Sequence, residues 1–395
     1  MSQLTSLEQI VAKLKEVTHF ADKFIPLHEP CFQGNEWKYV KECIDTGWVS
    51  SVGKYVDQFE EKLQEYTGVK RAVAVMNGTA ALHICLKLVG VEPEDEVLMP
   101  ALTFIATANA IAYCGATPHF IDSSFTTLGV DPKKLNDYLL EIAEVRGKEC
   151  FNKITGKRIK AVVPMHTFGH PVELDELIDV CERFHLELVE DAAESLGSYY
   201  KGVHTGNLGR VSALSFNGNK VITTGGGGAI LTNDEALGKY AKHITTTAKM
   251  PHKWAFEHDQ IGYNYRLPNI NAALGCAQLE QLPMFIERKR ALAQKYAQVF
   301  ASIPEITFFH EPKLATSNYW LHVLLLSPEL EKNRDQLLEM TNEQGLMTRP
   351  AWKLLHELPM YKNAPKMDIV VAKQLEERII NIPSSSNLGA SYVTT

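Results

Sequence analysis

The chain has 395 residues, 45% of them hydrophobic, which is enough for a large core and more than one ordinary domain requires. A formal net charge of −7 is spread along the chain without a basic block or an acidic tail, so neither a nucleic-acid backbone nor an anionic membrane is expected as a partner, and a small molecule is. The seven cysteines (Cys31, Cys43, Cys85, Cys114, Cys150, Cys181 and Cys276) stand far apart without a Cys-x-x-Cys pair, which argues against a disulfide framework or a zinc knuckle and predicts a cytoplasmic protein.

The opening MSQLTSLEQIVAKLKEVTHF lacks the apolar core of a signal peptide. Leu7, Ile10, Val11, Leu14 and Val17 instead recur at helical spacing and predict an amphipathic lead-in helix within a residue 1–25 extension. From residue 71, apolar runs alternate with helical patterns: RAVAV then TAALHICLKLVG, EVLMP then FIATANAIAYCG, and a strand ending at Phe120-Ile121-Asp122. No charged side chain stands between Glu96 and Asp122, but Pro100, Thr103, Thr107, Asn109 and Pro118 interrupt that stretch. It reads as strand, helix and strand inside a core, not as a membrane span. KAVVPM, ELDELIDVCERF, LELVED, VSALSF and GGAILTN continue the alternation, which predicts an α/β domain over residues 26–285 with a mostly parallel sheet covered by helices. After residue 285 a charged helix, the strand-like NYWLHVLLL, a further helix and a Pro-rich end predict a smaller C-terminal α+β domain over residues 286–395.

Three segments carry the chemistry, each where a parallel sheet places its active edge. Asn77-Gly78-Thr79-Ala80-Ala81 lies between a strand and a helix, where small residues let backbone N–H groups approach a phosphate; an ordinary capped turn is the bland alternative. Glu190-Asp191 ends the apolar strand LELV, and a buried carboxylate there calls for a cationic partner; a protonated pyridine nitrogen is one, a metal ion or a helix N-terminus another. Ser215-Phe216-Asn217-Gly218-Asn219-Lys220, followed by Thr223, Thr224 and Gly225 to Gly228, puts a lysine in a glycine-rich loop after a core strand. It is either a solvated surface charge or a Schiff-base lysine. The run is no Walker loop, since the Gly-Lys-Ser/Thr ending is missing.

Together NGTAALH, PALTFIATANA, VEDAAES, SFNGNK-x₄-GGGGA and GYNYRLPNINAALG resemble the DegT/DnrJ/EryC1/StrS sugar aminotransferases, fold type I pyridoxal-phosphate enzymes, over nearly the whole chain. The resemblance implies a seven-stranded sheet in the large domain and pyridoxal phosphate as cofactor. It makes Lys220 the residue that bonds the cofactor and shuttles the proton, and Asp191 the partner of the ring nitrogen. Glu194 falls where the family hydrogen-bonds the phenolic oxygen, Phe104 where an aromatic stacks on the ring, and Gly78, Thr79 and Ser215 where the phosphate binds. Asn264 matches an asparagine that reaches a phosphate across a dimer interface, implying a homodimer with shared sites. Many relatives carry Gly-Glu-Gly-Gly where this chain has four glycines, which reads as a branch marker.

Within the family, FIPLHEPCFQGNEWKYV, GWVSSVGKYVDQFE, SNYWLHVLLL and RPAWKLLHELPMY resemble the 4-aminotransferases of bacillosamine and legionaminic-acid routes. That resemblance implies glutamate as amino donor and a UDP-linked 4-keto-6-deoxy-N-acetylhexosamine as acceptor, with a GDP- or dTDP-linked keto sugar as the alternative. Lys253, Arg266 and Arg349 are candidates for the nucleotide's charge, though exposed ion pairs suit them equally. Tyr319 and Trp320 are candidates to flank the sugar or base, with core packing the plainer role for one of them. A pyridoxamine-phosphate dehydratase of the same family would carry histidine where Lys220 stands. A catalytically silent cofactor-binding regulator is the reading from another class. His166 and His170, four apart in MHTFGH, suggest a metal, but Pro164 and Gly169 make this a loop without a matching carboxylate, so no metal is expected.

Overall fold

The computed structural model describes residues 6–20 and 23–393. Its main sheet follows a seven-strand path: β1 (Arg71–Val75), β2 (Glu96–Pro100), β3 (Thr117–Ile121), β4 (Arg158–Val162), β5 (Glu187–Asp191), β6 (Val211–Ser215) and β7 (Gly228–Thr232), in the order β1-β7-β6-β5-β4-β2-β3. Pairs β2–β3, β2–β4, β4–β5 and β5–β6 are parallel, and β7 runs antiparallel to both β6 and β1. β1 therefore points the same way as β6. Helices on both faces bury these strands, which is why they read as unbroken apolar runs. The hairpin Ala143–Arg146 and Glu149–Asn152 extends the sheet from β4, two strands beyond those expected. It is locked by the buried Glu96, which accepts from His119 at 2.8 Å and from Asn152 at 2.9 Å.

The lead-in helix α1 (Ser6–Val17) buries Leu7, Ile10, Val11, Leu14 and Val17, while Met1 to Thr5 of its expected span lie outside the described residues. Helix α2 (Gly78–Leu88) follows β1, and α3 (Ala106–Tyr113) sits between β2 and β3 inside the uncharged stretch. Among the described residues no helix is long and apolar enough to cross a membrane.

A second sheet, entirely antiparallel, has the order β8-β9-β11-β10, from β8 (Ile306–Phe308), β9 (His322–Leu326), β10 (Arg349–Pro350) and β11 (Ile379–Ile382). The 32-residue helix α4 (Asn269–Phe300) serves both sheets. Cys276, Leu279, Leu282 and Phe285 pack in the main core. Leu292, Tyr296, Val299 and Phe300 pack in a second core with β8, β9, β11 and the apolar face of α1. The chain thus leaves one core for the other within a single helix, and the N-terminal extension folds onto the C-terminal unit.

Candidate active site

Every strand of the seven-strand path except β7 points its C-terminal end to one edge, and five of those ends feed one cavity of about 330 Å³. Asn77, Gly78 and Thr79 enter it after β1, Phe104 after β2, Met165 after β4, Asp191 to Glu194 at the end of β5, and Ser215 to Lys220 at the end of β6. Carboxyl-end loops of a parallel sheet are the expected place for a ligand. A shallower depression of about 990 Å³ at the other ends of the strands, lined by Arg210 and Asp234, contains none of these groups.

The cradle after β1 follows from local capping. The Asn77 side chain accepts from the Ala80 amide at 2.8 Å and starts α2, which leaves the Gly78 and Thr79 amides at a positive helix end facing the cavity. A Cβ on Gly78 would lie 2.8 Å from the Ser215 Cβ, so only glycine lets this turn approach β6.

Asp191 is buried, and its carboxylate accepts from the Thr107 hydroxyl at 2.6 Å and the Ala193 amide at 3.2 Å. Among the described residues no cationic side chain is in salt-bridge contact with it. Burial pushes its carboxyl above the ordinary range; the Thr107 hydroxyl, the Ala193 amide and the charge of Lys220 pull the other way. Its neighbour Glu190 points away and is structural. It accepts from the His166 ring at 2.9 Å and from the amides of Gly206, Leu208 and Gly209, and although burial pushes its carboxyl up, these donors hold it below the ordinary range.

Lys220 is 14% exposed and lies inside the cavity, not in bulk water. A tight turn, with the Lys220 amide donating to the Asn217 carbonyl at 2.9 Å, brings its side chain back over the sheet edge. Its Nζ is 3.1 Å from Glu194 Oε1, and the Trp320 ring centroid is 3.7 Å from the same nitrogen. Glu194 Oε2 accepts from the Phe168 amide at 2.9 Å. Burial raises the Glu194 carboxyl as well, with Lys220 as the main opposing influence.

The cavity thus brings together Lys220, Asp191, Glu194, Phe104, Gly78, Thr79, Ser215 and Trp320. Phe104 is 52% exposed, an aromatic face left open at the cavity. Of the other substrate candidates, Tyr319 is buried in the second core, stacked on His322 at 5.6 Å with its hydroxyl accepting from the Glu311 amide, so the packing role is the one it fills. Arg349 donates to Asn342 and to the Thr348 carbonyl, away from the cavity, and Lys253 is exposed on a loop. Arg266 holds Asn264 at 3.0 Å, and neither lines the cavity of its own chain. His166 and His170 are both buried, the first on Glu190, the second against Phe309 and Tyr319.

Sequence reasoning missed Thr107, Phe168, Asn318 and Trp352. Thr107 lies within the PALTFIATANA motif but gave no signal of its own. Asn318 donates to the Glu194 and Leu196 carbonyls, both at 2.9 Å, and accepts from the Trp320 amide at 2.8 Å, which ties β9 to the Glu194 loop. Gly169, at φ 96°, makes room for it: a Cβ there would sit 1.9 Å from Asn318 Oδ1. Trp352 forms part of the cavity wall with the Phe168 ring stacked on it at 4.8 Å.

The sequence profile of the DegT/DnrJ/EryC1/StrS aminotransferase family matches residues 30–395. A protein of Escherichia coli O157:H7 named GDP-perosamine synthase is 38% identical over 371 residues, 94% of this chain and 96% of that one. A protein of the same name from Caulobacter vibrioides is 35% identical over 365 residues, covering 92% and 94% of the two chains. Among solved structures, Helicobacter pylori PseC, an aminotransferase involved in the biosynthesis of pseudoaminic acid, superimposes with a TM-score of 0.83 at 27% identity over 94% of this chain and 96% of that one.

Proposed function

Because the chain belongs to the DegT/DnrJ/EryC1/StrS aminotransferase family, we propose that it moves an amino group from glutamate to C4 of a GDP-linked 4-keto-6-deoxy sugar. The enzyme is a pyridoxal-phosphate-dependent aminotransferase. One observation carries the chemistry: an amine and a buried carboxylate that lacks a cation, Lys220 and Asp191, line the same cavity. A protonated ring nitrogen is the partner that such a carboxylate lacks, so the residues present fit the cofactor.

When bound, pyridoxal phosphate supplies the aldehyde that exchanges amines and the ring that withdraws electrons during proton transfer. On this reading Lys220 would hold it covalently, Gly78, Thr79 and Ser215 would take its phosphate, Phe104 its ring face, Asp191 its ring nitrogen and Glu194 its phenolic oxygen. Lys220 takes the α-proton from glutamate and later returns a proton to C4 of the sugar. Asp191 would keep the ring nitrogen protonated, and Glu194, with Oε1 3.1 Å from Nζ, would hold the free amine.

The GDP carrier rests on the relatives named GDP-perosamine synthase, and it departs from the UDP carrier expected from the sequence. Two of the four segments behind the UDP expectation reach the cavity by one residue each. SNYWLHVLLL becomes β9 and its approach, and of it and RPAWKLLHELPMY only Trp320 and Trp352 line the cavity.

The reading includes a two-fold dimer with shared sites. Asn264 hydrogen-bonds Arg266 and not its own cavity, and the preceding loop exposes Trp254, Phe256 and Ile261, a face that a second copy would cover.

The test is incubation of the purified holoenzyme with glutamate and GDP-, UDP- and dTDP-linked 4-keto-6-deoxy sugars, with products read by NMR. The GDP sugar is expected to lead in kcat/KM by about tenfold or more. Turnover of the UDP sugar alone overturns the carrier assignment, and turnover of none, with glutamate still changing the visible absorbance, overturns the sugar.

A further inference from the structure

Trp320 does more at this site than border it. Its ring centroid is 3.7 Å from Lys220 Nζ, and the residue is 4% exposed. Three hydrogen bonds fix the residue. The indole Nε1 donates to the Asn219 carbonyl at 2.6 Å, which ties the ring to the loop that carries Lys220. The Trp320 amide donates to Asn318 Oδ1 at 2.8 Å, and its carbonyl accepts from Lys289 Nζ at 3.1 Å. Lys289 is itself fully buried, bonded to that carbonyl and to the Ser384 carbonyl, with no carboxylate in salt-bridge contact among the described residues.

The indole face therefore occupies one side of the Lys220 nitrogen and the Glu194 carboxylate another. A lysine side chain has four rotatable bonds, and confining its end costs conformational entropy unless the resting place is built in advance. A desolvated aromatic face attracts an ammonium more strongly than an exposed one does. We propose that Trp320 is a positioning residue that, with Glu194, forms the resting place of the Lys220 amine whenever that amine is not joined to the cofactor. This rests on Lys220 being the proton-moving group of the proposed reaction; it makes the lysine, not the sugar, the partner of the indole.

The test reads the amine directly. Lysines are reductively methylated with ¹³C-formaldehyde in the cofactor-free protein and in protein loaded with pyridoxamine phosphate, and the Lys220 signal is assigned by its loss in Lys220→Arg. A methyl group held over an indole face is shifted upfield, so the Lys220 signal is expected upfield of the surface lysines in both forms. Trp320→Phe keeps a ring face but not the Nε1 hydrogen bond and should retain most of the shift; Trp320→Met should lose it. In the holoenzyme, Trp320→Met should lower kcat about tenfold with both KM values within about twofold, and Trp320→Phe should recover most of kcat.

A wild-type Lys220 signal among those of exposed lysines overturns the proposal, and so does a Trp320→Phe protein that behaves like Trp320→Met. If both variants fail to fold, the wild-type shift alone decides. The methyl shift needs no sugar, so a failed GDP assignment leaves it readable.

Discussion

The Phe168 amide reaches Glu194 Oε2 at 2.9 Å from a backbone at φ 56°, ψ 18°, a left-handed conformation that costs a non-glycine residue about 1–3 kcal/mol. The buried Phe168 ring, stacked on Trp352, offsets that cost through packing. With Oε2 taken by a backbone donor, Glu194 presents Oε1 alone to Lys220. Strain in one residue thus sets which oxygen its neighbour offers to the amine.

Asn318 holds the backbone of the same glutamate. Asn318→Ala would leave the buried Glu194 and Leu196 carbonyls without their side-chain donor and the Trp320 amide without an acceptor. Unfolding in urea should show a loss of about 2–3 kcal/mol. A loss below about 0.5 kcal/mol would mean that water or a shifted loop takes over these bonds.

Asp191→Asn should stabilise the cofactor-free protein while removing its activity. Burial raises the Asp191 carboxyl, so the folded protein holds that proton more tightly than the unfolded chain does. The contribution to stability is fully present below the ordinary Asp range, about pH 3.9, and is lost as pH rises through the raised value. Glu194 acts with the same sign. Between pH 4 and 7 the gap in unfolding free energy between Asp191→Asn and wild type, measured in urea, should therefore widen in favour of the variant, to about 1 kcal/mol or more. In the holoenzyme the same change should lower kcat by about a hundredfold or more. A gap that narrows with rising pH would contradict the account.

Gly78→Ala brings a Cβ to 2.8 Å from Ser215 Cβ and 3.1 Å from its Oγ. The turn after β1 and the end of β6 must separate, at about 1–3 kcal/mol of stability. Titration of the cofactor by visible absorbance should show at least about tenfold weaker binding. Unchanged affinity would place the phosphate elsewhere.

Mixed subunits test the shared site. Asn264→Ala and Lys220→Ala proteins should each lose activity as homodimers. Refolded together at equal amounts, they should regain about a quarter of wild-type activity, because each mixed dimer contains one complete site. No recovery, with mixed dimers present by native mass spectrometry, would confine Asn264 to its own chain.

The alternation of apolar runs and helical patterns located all seven strands of the main path, because a doubly covered sheet writes its burial into consecutive residues. The hairpin that pairs with β4 leaves no such trace, because AEVR and ECFN are short and partly charged. The residues that line the cavity from β1, β5 and β6 could be named because motif spacing follows strand ends. Thr107, Phe168 and Asn318 could not. They act through a hydroxyl, a backbone amide and a side-chain amide on segments distant in the chain, and nothing local distinguishes them. Nothing in the sequence distinguishes the adjacent Tyr319 and Trp320, yet one ends in the second core and the other over Lys220.

Helix α4 passes from the main core to the second without a break, so no loose joint separates the two units along that stretch. Melting of the helix as a whole would strip apolar surface from both cores at once. Denaturation should accordingly run as one cooperative event, and a protease cutting between residues 285 and 292 should find no stable half to release.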